Sequence, residues 1–468
     1  PEAPWPEISH LAKTMANYGK VLIERLPLYP RFALNSKKWT DKEITSALLR
    51  SMDQQGYARE DEWAPGQSTF PPVHKKSYLP LKMKGEKNKI DQILERINGS
   101  GEINEEQIII LLNSRGLEFE RVCEFANKLR KKVSGEEVTY AVNRNINYTN
   151  VCYFRCGFCA FSKGKMSENL RGKPYNLELD EIVSRAREAW DRGASEVCLQ
   201  GGIHPSYTGD TYLQICKAIH EAVPRIHIHA FSPLEVSQGA STLGLSVPEF
   251  LEKLRDSGLG TLPGTAAEVL DDEVRNIICP DKLSTQEWLS VMRDAHEVGF
   301  RTTATIMFGH LEAPYHVARH LLRIRDLQKE TGGFTEFVPL PFVHMEAPIY
   351  LKGKSRMGPT FREAVLIHAV ARIVLNPFIQ NIQTSWVKMG PEGVKACLDA
   401  GANDLGGTLM NESITRAAGT VHGQEMLPER MEALIRQTGR IPRQRDTLYR
   451  IPDPIQNSKS YGNQLINQ

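Results

Sequence analysis

Residues 137–159 read "EVTYAVNRNINYTNVCYFRCGFC". The part up to Asn150 has the β-branched and aromatic content of a strand. The part after it carries Cys152, Cys156 and Cys159, spaced C-x₃-C-x₂-C. A strand therefore runs straight into a compact loop of thiols. The residues after this loop decide the fold. "LDEIVSRAREAWDRG" (179–193) places Ile182, Val183, Ala186 and Trp190 on one helical face. "SEVCLQGG" (195–202) then reads as a second strand. The alternation continues through "RIHIHAFSP" (225–233), "LGTLPGTAAE" (259–268), "FRTTATIMFGH" (300–310), "FTEFVPLP" (334–341), "FIQNIQTSW" (378–386) and "ANDLGGT" (402–408). Eight strands alternating with helices predict a parallel α/β fold, and a (β/α)₈ TIM-like barrel rather than an open sheet.

Several strands end in glycine or polar residues: Gln200-Gly201-Gly202, Ser232, Gly264-Thr265, Gly309-His310, Gln383-Thr384 and Gly406-Gly407. In a barrel these ends meet at one mouth, where active sites lie. The cysteine loop follows the first strand and belongs to that mouth.

Three thiols are one too few for a closed structural zinc site. A disulfide would leave one over. Thiolates also suit iron–sulfur clusters. Three cysteines hold three irons of a 4Fe-4S cluster and leave the fourth open to a small molecule. A zinc site completed by a distant Cys or His is the structural alternative.

The rest of the chain bounds the function. It has 468 residues, 58 basic against 56 acidic, for a net charge of +2. That balance points to neither nucleic acid nor an acidic membrane as partner. No apolar run reaches the roughly 18 residues of a membrane span. Eight cysteines in this length are no disulfide framework. A reducing intracellular compartment is expected, with cytoplasm and organelle both open. The chain begins at Pro1, which leaves a targeting segment open. Cys123, Cys198, Cys216, Cys279 and Cys397 are scattered and read as small core residues.

Five segments are expected: a helical piece at 1–66, a Pro/Gly-rich linker at 67–89, accessory helices at 90–135, the barrel at 136–450 and a tail at 451–468. The first piece looks detached from the barrel. Thr40 reads as an N-cap, with Glu43 completing a capping box.

C-x₃-C-x₂-C with Phe158 before the last cysteine resembles the radical S-adenosylmethionine (SAM) superfamily. "NINYTNVCYFRCGFCAFSKGK" (145–165), "LQGGIHP", "IHIHAFSPLEV", "LPGTAAEVLDDEVRNIICPDK", "TATIMFGH" and "GGTLMNESITRAAG" together resemble one branch of it. That branch is the tyrosine-utilising half of FO synthase, in deazaflavin biosynthesis. The resemblance covers about residues 88 to 450. "LPLYPRFALNSKKWTDKEITSALLRSMDQQGYAREDEWAPG" (26–66) resembles the tail of the other FO synthase half. Radical SAM enzymes of the menaquinone pathway share "NINYTNVC" and "GTAAEVL" and form the nearest alternative. A non-catalytic zinc-binding or scaffold fragment is the second.

The resemblance implies a 4Fe-4S cluster on Cys152, Cys156 and Cys159, with SAM on the open iron. An electron then splits SAM into methionine and a deoxyadenosyl radical. The radical takes a hydrogen from the amino group of L-tyrosine, and the Cα–Cβ bond breaks. 2-Iminoacetate leaves, and the 4-hydroxybenzyl fragment joins 5-amino-6-(D-ribitylamino)uracil. An electron donor such as ferredoxin or flavodoxin and the other FO synthase half are the implied partners.

Further residues carry over one by one. Gly201 and Gly202 match a motif whose backbone carbonyls accept the SAM ammonium. Phe158 falls near the adenine. Ser232 and Glu235 are candidates for the SAM ribose or carboxylate. Glu268 and Arg275 are candidates for SAM or the tyrosine carboxylate. Gln383, Thr384 and Asn411 are candidates for the pyrimidine or ribityl group. The structural alternative at each is a tight turn, a cap or a salt bridge. His227 and His229 alternate on the third strand and should share one side, facing the cavity or satisfied in the core. No catalytic residue is assigned beyond the cluster.

Overall fold

A computed structural model describes residues 7–72, 89–99, 101–162 and 173–460. Most of the expected linker (73–88), part of the expected tail (461–468) and 163–165 of the cysteine stretch lie outside the described residues.

The strands are β1 (Glu137–Ala141), β2 (Asn143–Ile146), β3 (Glu196–Leu199), β4 (His227–Ala230), β5 (Thr261–Leu262), β6 (Arg301–Phe308), β7 (Phe334–Pro341), β8 (Asp404–Gly407) and β9 (Ile441–Arg445). β2 to β7 form a six-stranded parallel sheet in chain order. β8, β1 and β9 form a second sheet. Only Val142 separates β1 from β2. Beyond β7, parallel bridges Phe337–Ile382 and Gln383–Asp404 carry the pairing to β8, which pairs with β1. Pairing thus runs round a ring of eight parallel segments, and the barrel expectation holds.

The seventh segment is short: Phe337 and Gln383 N–H groups bond it to β7, and Asn403 and Thr384 N–H groups bond it to the start of β8. The Ile382 N–H goes instead to the Asn403 side-chain oxygen (2.9 Å). β9 escapes a sequence reading because "IPRQR" has no buried apolar face. It lies outside the ring, paired with β1 over its whole length.

Several helices after the mouth begin with a capping box: Ser232–Glu235, Ser246–Glu249, Ser284–Glu287 and Thr360–Glu363. Each box satisfies two first-turn N–H groups and fixes where the chain leaves the mouth. On the helix Leu179–Asp191 the buried residues are Ile182, Ala186 and Ala189; Val183 and Trp190 are only half-buried. Thr40 is no cap. The helix Lys42–Ser51 starts after Asp41, and the Thr40 hydroxyl donates back to Ser36 O (2.9 Å).

The helix Phe361–Leu375 is buried over its whole length. The helices Glu105–Leu112 and Leu117–Ser134 pack on one side of it. The end of the N-terminal piece packs at the N-terminus of the buried helix and against the turn between those two helices. The Gln54 N–H donates to Glu363 Oε1 (2.7 Å), and Arg59 donates to Gly358 O (2.8 Å) and Pro359 O (3.0 Å). Trp63 is buried edge-on against Phe361, with ring centroids 5.2 Å apart. Gly66 exchanges backbone bonds with Lys388 and Val421. Residues 53–66 are therefore woven into the barrel flank, against the expectation of detachment. The reason is local: Trp63, Ala64 and Pro65 are buried, so this Pro/Gly stretch packs instead of spacing. Residues before Asp53 have a small core of their own, Leu26, Ala33, Leu48, Leu49 and Met52.

Candidate active site at the barrel mouth

A cavity of ≈ 450 Å³ opens at the C-terminal ends of the strands and runs down the barrel axis. Strand alternation builds its wall. Glu196, Cys198 and Gln200 point inward from β3 and its end; Thr303, Thr305 and Met307 from β6; Glu336, Val338 and Leu340 from β7. Barrel interiors are ordinarily filled by branched side chains. Here threonines, a cysteine and acidic residues take those positions, and the bore stays open.

At the mouth Cys152, Cys156 and Cys159 line one side. All three are free thiols and partly exposed. Burial pushes the Cys156 and Cys159 thiols up. The Gly157 N–H donates to Ile278 O (2.7 Å), and the Arg155 N–H to the Asp281 carboxylate (2.9 Å). The loop is thus pinned to residues 278–281.

The two glycines face this loop. A Cβ on Gly202 would sit 2.2 Å from Val151 O and 2.9 Å from Cys152 Cβ. One on Gly201 would meet the Tyr148 ring at 2.3 Å. Both glycines are therefore fixed by packing against the stretch that carries the cysteines. Among the described residues nothing donates to their carbonyl oxygens.

Glu235 braces this corner. Its carboxylate accepts from the Ser232 N–H (2.7 Å), the Ser232 hydroxyl (2.6 Å) and the Tyr148 hydroxyl. Burial pushes its carboxyl above the usual range, against those donors. Ser232 and Glu235 line the cavity with their polar groups already engaged.

Glu268 and Phe158 also line it, and both meet Lys282, which the sequence reading passed over. Lys282 Nζ lies 2.9 Å from Glu268 Oε1 and 5.2 Å from the Phe158 ring centre. Burial works against this cation. Glu268 and the sulfurs of Cys156 and Cys279 outweigh it and hold its pKa well above the ordinary lysine value.

Across the mouth stands Lys388, in the first turn of the helix Trp386–Asp399. Burial lowers it to about 8, with Glu412 and Glu268 acting in the opposite sense. No described carboxylate lies within ion-pair distance of it.

Not every candidate reaches the cavity. Arg275 is buried elsewhere, donating to Leu283 O (2.9 Å) and to the carbonyls of Ala266 and Ala267. It clamps the loop after β5 and has no free face for a carboxylate. Thr384 is fully buried outside the lining, its N–H given to Asp404 O (2.9 Å). Asn411 faces a second, smaller cavity beside Asn147, Tyr175 and Arg185. Gln383 does line the main cavity. So do His229, and Cys198, which is wall rather than core. His227 and His229 meet one hydroxyl, Thr261 Oγ1, at 2.8 and 2.7 Å.

At the far end of the bore the sequence reading missed a group of charges. Residues 445–449 fold beneath the strands. Arg445 pairs with Asp404 (Nε to Oδ2 2.5 Å, Nη2 to Oδ1 3.0 Å) and reaches Glu336 Oε2 at 3.3 Å. The Tyr449 hydroxyl donates to Glu336, and the Thr447 hydroxyl to Glu196. The Asn143 amide donates to Glu196 Oε1 (2.8 Å). Burial pushes Glu336 up to about 7, against the pull of Arg445. Burial opposes ionisation of Glu196 too, but His229 first, then the Thr447 hydroxyl, Arg445 and the Asn143 amide, hold its pKa below the usual range. Burial lowers His229 to about 4, so its ring is neutral.

Backbone strain gathers round the same bore. Among the described residues, non-glycine positive φ occurs at Phe231, Ala266, Glu268, Leu409, Met410 and Asn411, all at strand ends on the mouth. Tyr449, beneath the strands, is the remaining case. Such residues each cost about 1–3 kcal/mol and cluster at functional sites.

Residues 146–322 match a family model described as "Radical SAM superfamily", and residues 331–458 one described as "CofH/MqnC C-terminal region". The 5-amino-6-(D-ribitylamino)uracil–L-tyrosine 4-hydroxyphenyl transferase of Methanocaldococcus jannaschii is 48% identical over 355 residues. That match covers 75% of this chain and 97% of the relative. The chain belongs to this radical SAM transferase family. The FO synthase of Streptomyces coelicolor is 40% identical over 96% of the chain. The chain spans 56% of that relative's length. Among solved structures, methylornithine synthase aligns with a TM-score of 0.59 at 17% identity, over 75% of this chain and 97% of that one. The hydrogenase maturase HydG of Carboxydothermus hydrogenoformans aligns with 0.59 at 19%, over 77% and 81%. At such identities the likeness concerns the fold alone.

A radical SAM transferase works with a 4Fe-4S cluster and SAM. The donor set here fits both: three soft sulfurs converge on the mouth, beside two backbone carbonyls that nothing described engages. The match to the transferase favours neither the menaquinone nor the zinc-scaffold alternative.

Proposed function

We propose that this chain joins the 4-hydroxybenzyl group of L-tyrosine to 5-amino-6-(D-ribitylamino)uracil, releasing 2-iminoacetate, in deazaflavin biosynthesis. One observation carries the reading. The three cysteines and Gly201–Gly202 open onto a cavity of ≈ 450 Å³, inside a chain of the transferase family. When bound, the cluster and SAM supply a one-electron cleavage that yields an alkyl radical.

The chain's own residues do the rest. Cys152, Cys156 and Cys159 hold the cluster, and Lys282 sets a positive charge against its sulfur ligands. The carbonyls of Gly201 and Gly202 receive the SAM ammonium, and Phe158 backs the adenine. Lys388, the mouth cation without a described ion pair, takes the tyrosine carboxylate. Val338, Leu340 and Phe342 give the wall its apolar face and keep water from the reacting carbon. The strained loops after β5 and β8 hold these groups in place before substrate arrives.

A low-potential donor such as ferredoxin or flavodoxin supplies the electron. The other FO synthase half completes the deazaflavin. Supporting its docking at the N-terminal piece, Ile8, Met15, Tyr18, Val21, Trp39 and Ile44 there are exposed apolar side chains.

The test is anaerobic reconstitution, then incubation with SAM, reductant, tyrosine and the diaminouracil. A 4-hydroxybenzyl adduct by mass spectrometry is expected. SAM cleavage with no adduct would sink the substrate assignment.

A further inference from the structure

The bore has two chemically different ends. The mouth carries sulfur, glycine carbonyls and cations. The floor carries Glu196, Glu336 and Arg445, with Asp404 buried behind on Arg445, and is joined by Thr303 and His229 on the wall. Acidic side chains outnumber basic ones here: Glu196, Glu336 and Asp404 share the single guanidinium of Arg445, which bonds to Asp404 and Glu336.

Four of these groups still have hydrogen-bonding capacity. Glu196 Oε1 and Oε2 each accept one bond, from Asn143 and Thr447, and a carboxylate oxygen takes two. The described bonds of Glu336 all go to Oε2, leaving Oε1. Thr303 Oγ1 accepts from the Gly264 N–H (2.8 Å) and keeps its own O–H to give. His229 spends Nδ1 on Thr261 and leaves Nε2 toward the bore. Buried groups of this kind bind what can complete them, and they select strongly against a ligand that leaves them unpaired.

Three kinds of substrate group compete for this end. A carboxylate would add a fourth acidic group to three that already share one guanidinium. A phenol brings one hydroxyl, yet Glu196 on β3 and Glu336 on β7 stand four positions apart in a ring of eight, on opposite sides. A chain of several hydroxyls is uncharged, rich in donors, and long enough to meet both walls.

We propose that the floor formed by Glu196, Glu336, Thr303 and His229 is the seat of the polyhydroxyl chain of the pyrimidine substrate. This assignment rests on the transfer reaction proposed above. It leaves the tyrosine nearer the mouth, under Lys388. Glu196 and Glu336 are then specificity-determining residues, holding the ribityl hydroxyls while the pyrimidine ring lies higher in the bore.

The test is a thermodynamic cycle read as binding on the reconstituted protein, by anaerobic calorimetry. The ligands are the ribitylamino pyrimidine, the same pyrimidine with a methylamino group, and L-tyrosine. The proteins are wild type, Glu196→Gln and Glu336→Gln. Removing the ribityl chain should weaken wild-type binding by roughly 10-fold or more, the size of one hydrogen bond to a charged group. The same truncation should matter several-fold less in either variant, with tyrosine affinity unchanged. Because the cycle compares ligands within each protein, a general loss of folding cancels. If the variants lose tyrosine affinity instead, the floor holds the phenol and the proposal falls. It falls equally if truncation affects wild type and variants alike, or if one variant misfolds and the other binds as wild type. Wild type that binds the ribityl pyrimidine yet forms no adduct would sink the transfer reaction and leave the polyol seat standing. Wild type that binds neither pyrimidine would sink both.

Discussion

At the scale of single residues, the proposed reaction gives the mouth two sets of side chains, one for the cofactor and one for the substrate. Cys156 has no described partner that would need it for folding, and Gly157 beside it makes the backbone bond that pins the loop. Cys156→Ser should therefore abolish the visible absorption of the cluster and SAM cleavage, while circular dichroism stays that of the wild type. Lys388 is the opposite case, a cation with a pKa lowered by burial to about 8. Its charge is present below that value and lost as pH rises through it. Tyrosine affinity should fall between about pH 7 and 9, and Lys388→Met should remove that dependence and weaken binding by roughly 10-fold at pH 7. The cysteines were legible from spacing alone, because metal ligation demands adjacent thiols. Arg275 was not: an arginine that clamps three carbonyls looks the same in sequence as one that grips a carboxylate. The floor charges were hidden for a related reason. Glu196, Glu336 and Arg445 sit on separate strands, and only closure of the ring brings them to one place.

At the scale of elements, the barrel was readable because each strand and helix had its own period. The parts that escaped lack one. The seventh segment pairs over only a few residues, and β9 has no buried apolar face. The mouth loops are governed instead by close approach, which gives a test. Gly202→Ala would drive a methyl into Val151 O at 2.2 Å. The cysteine stretch must then shift, and iron content after reconstitution should drop well below wild type. Gly99→Ala is the control: its nearest neighbours lie 3.6 Å away, at ordinary contact, so iron content should not change.

At the scale of the whole molecule, residues 53–66 join the N-terminal piece to the wall of the active site. Trp63 is 2% exposed against Phe361, and Gly66 bonds to the backbone of Lys388. Composition suggested a spacer here, since Pro and Gly usually mark one; the buried tryptophan is what overrides it. Trp63→Ala should lower stability by about 3–5 kcal/mol in chemical denaturation, the range for a large buried aromatic. Tyrosine affinity should weaken with it, because the helix carrying Lys388 loses its support.

Arg445, Thr447 and Tyr449 bond to Asp404, Glu196 and Glu336 across the lower end of the bore, so traffic is expected through the mouth. What lies deepest has to arrive first and depart last. Steady-state kinetics should then show compulsory order: the pyrimidine leads, tyrosine comes second, and SAM, seated at the doorway, closes the queue. Dead-end inhibition by the methylamino pyrimidine should be competitive against the pyrimidine and noncompetitive against tyrosine and SAM. Saturating SAM before the pyrimidine is added should slow turnover, a substrate inhibition that a bore open at both ends would not produce.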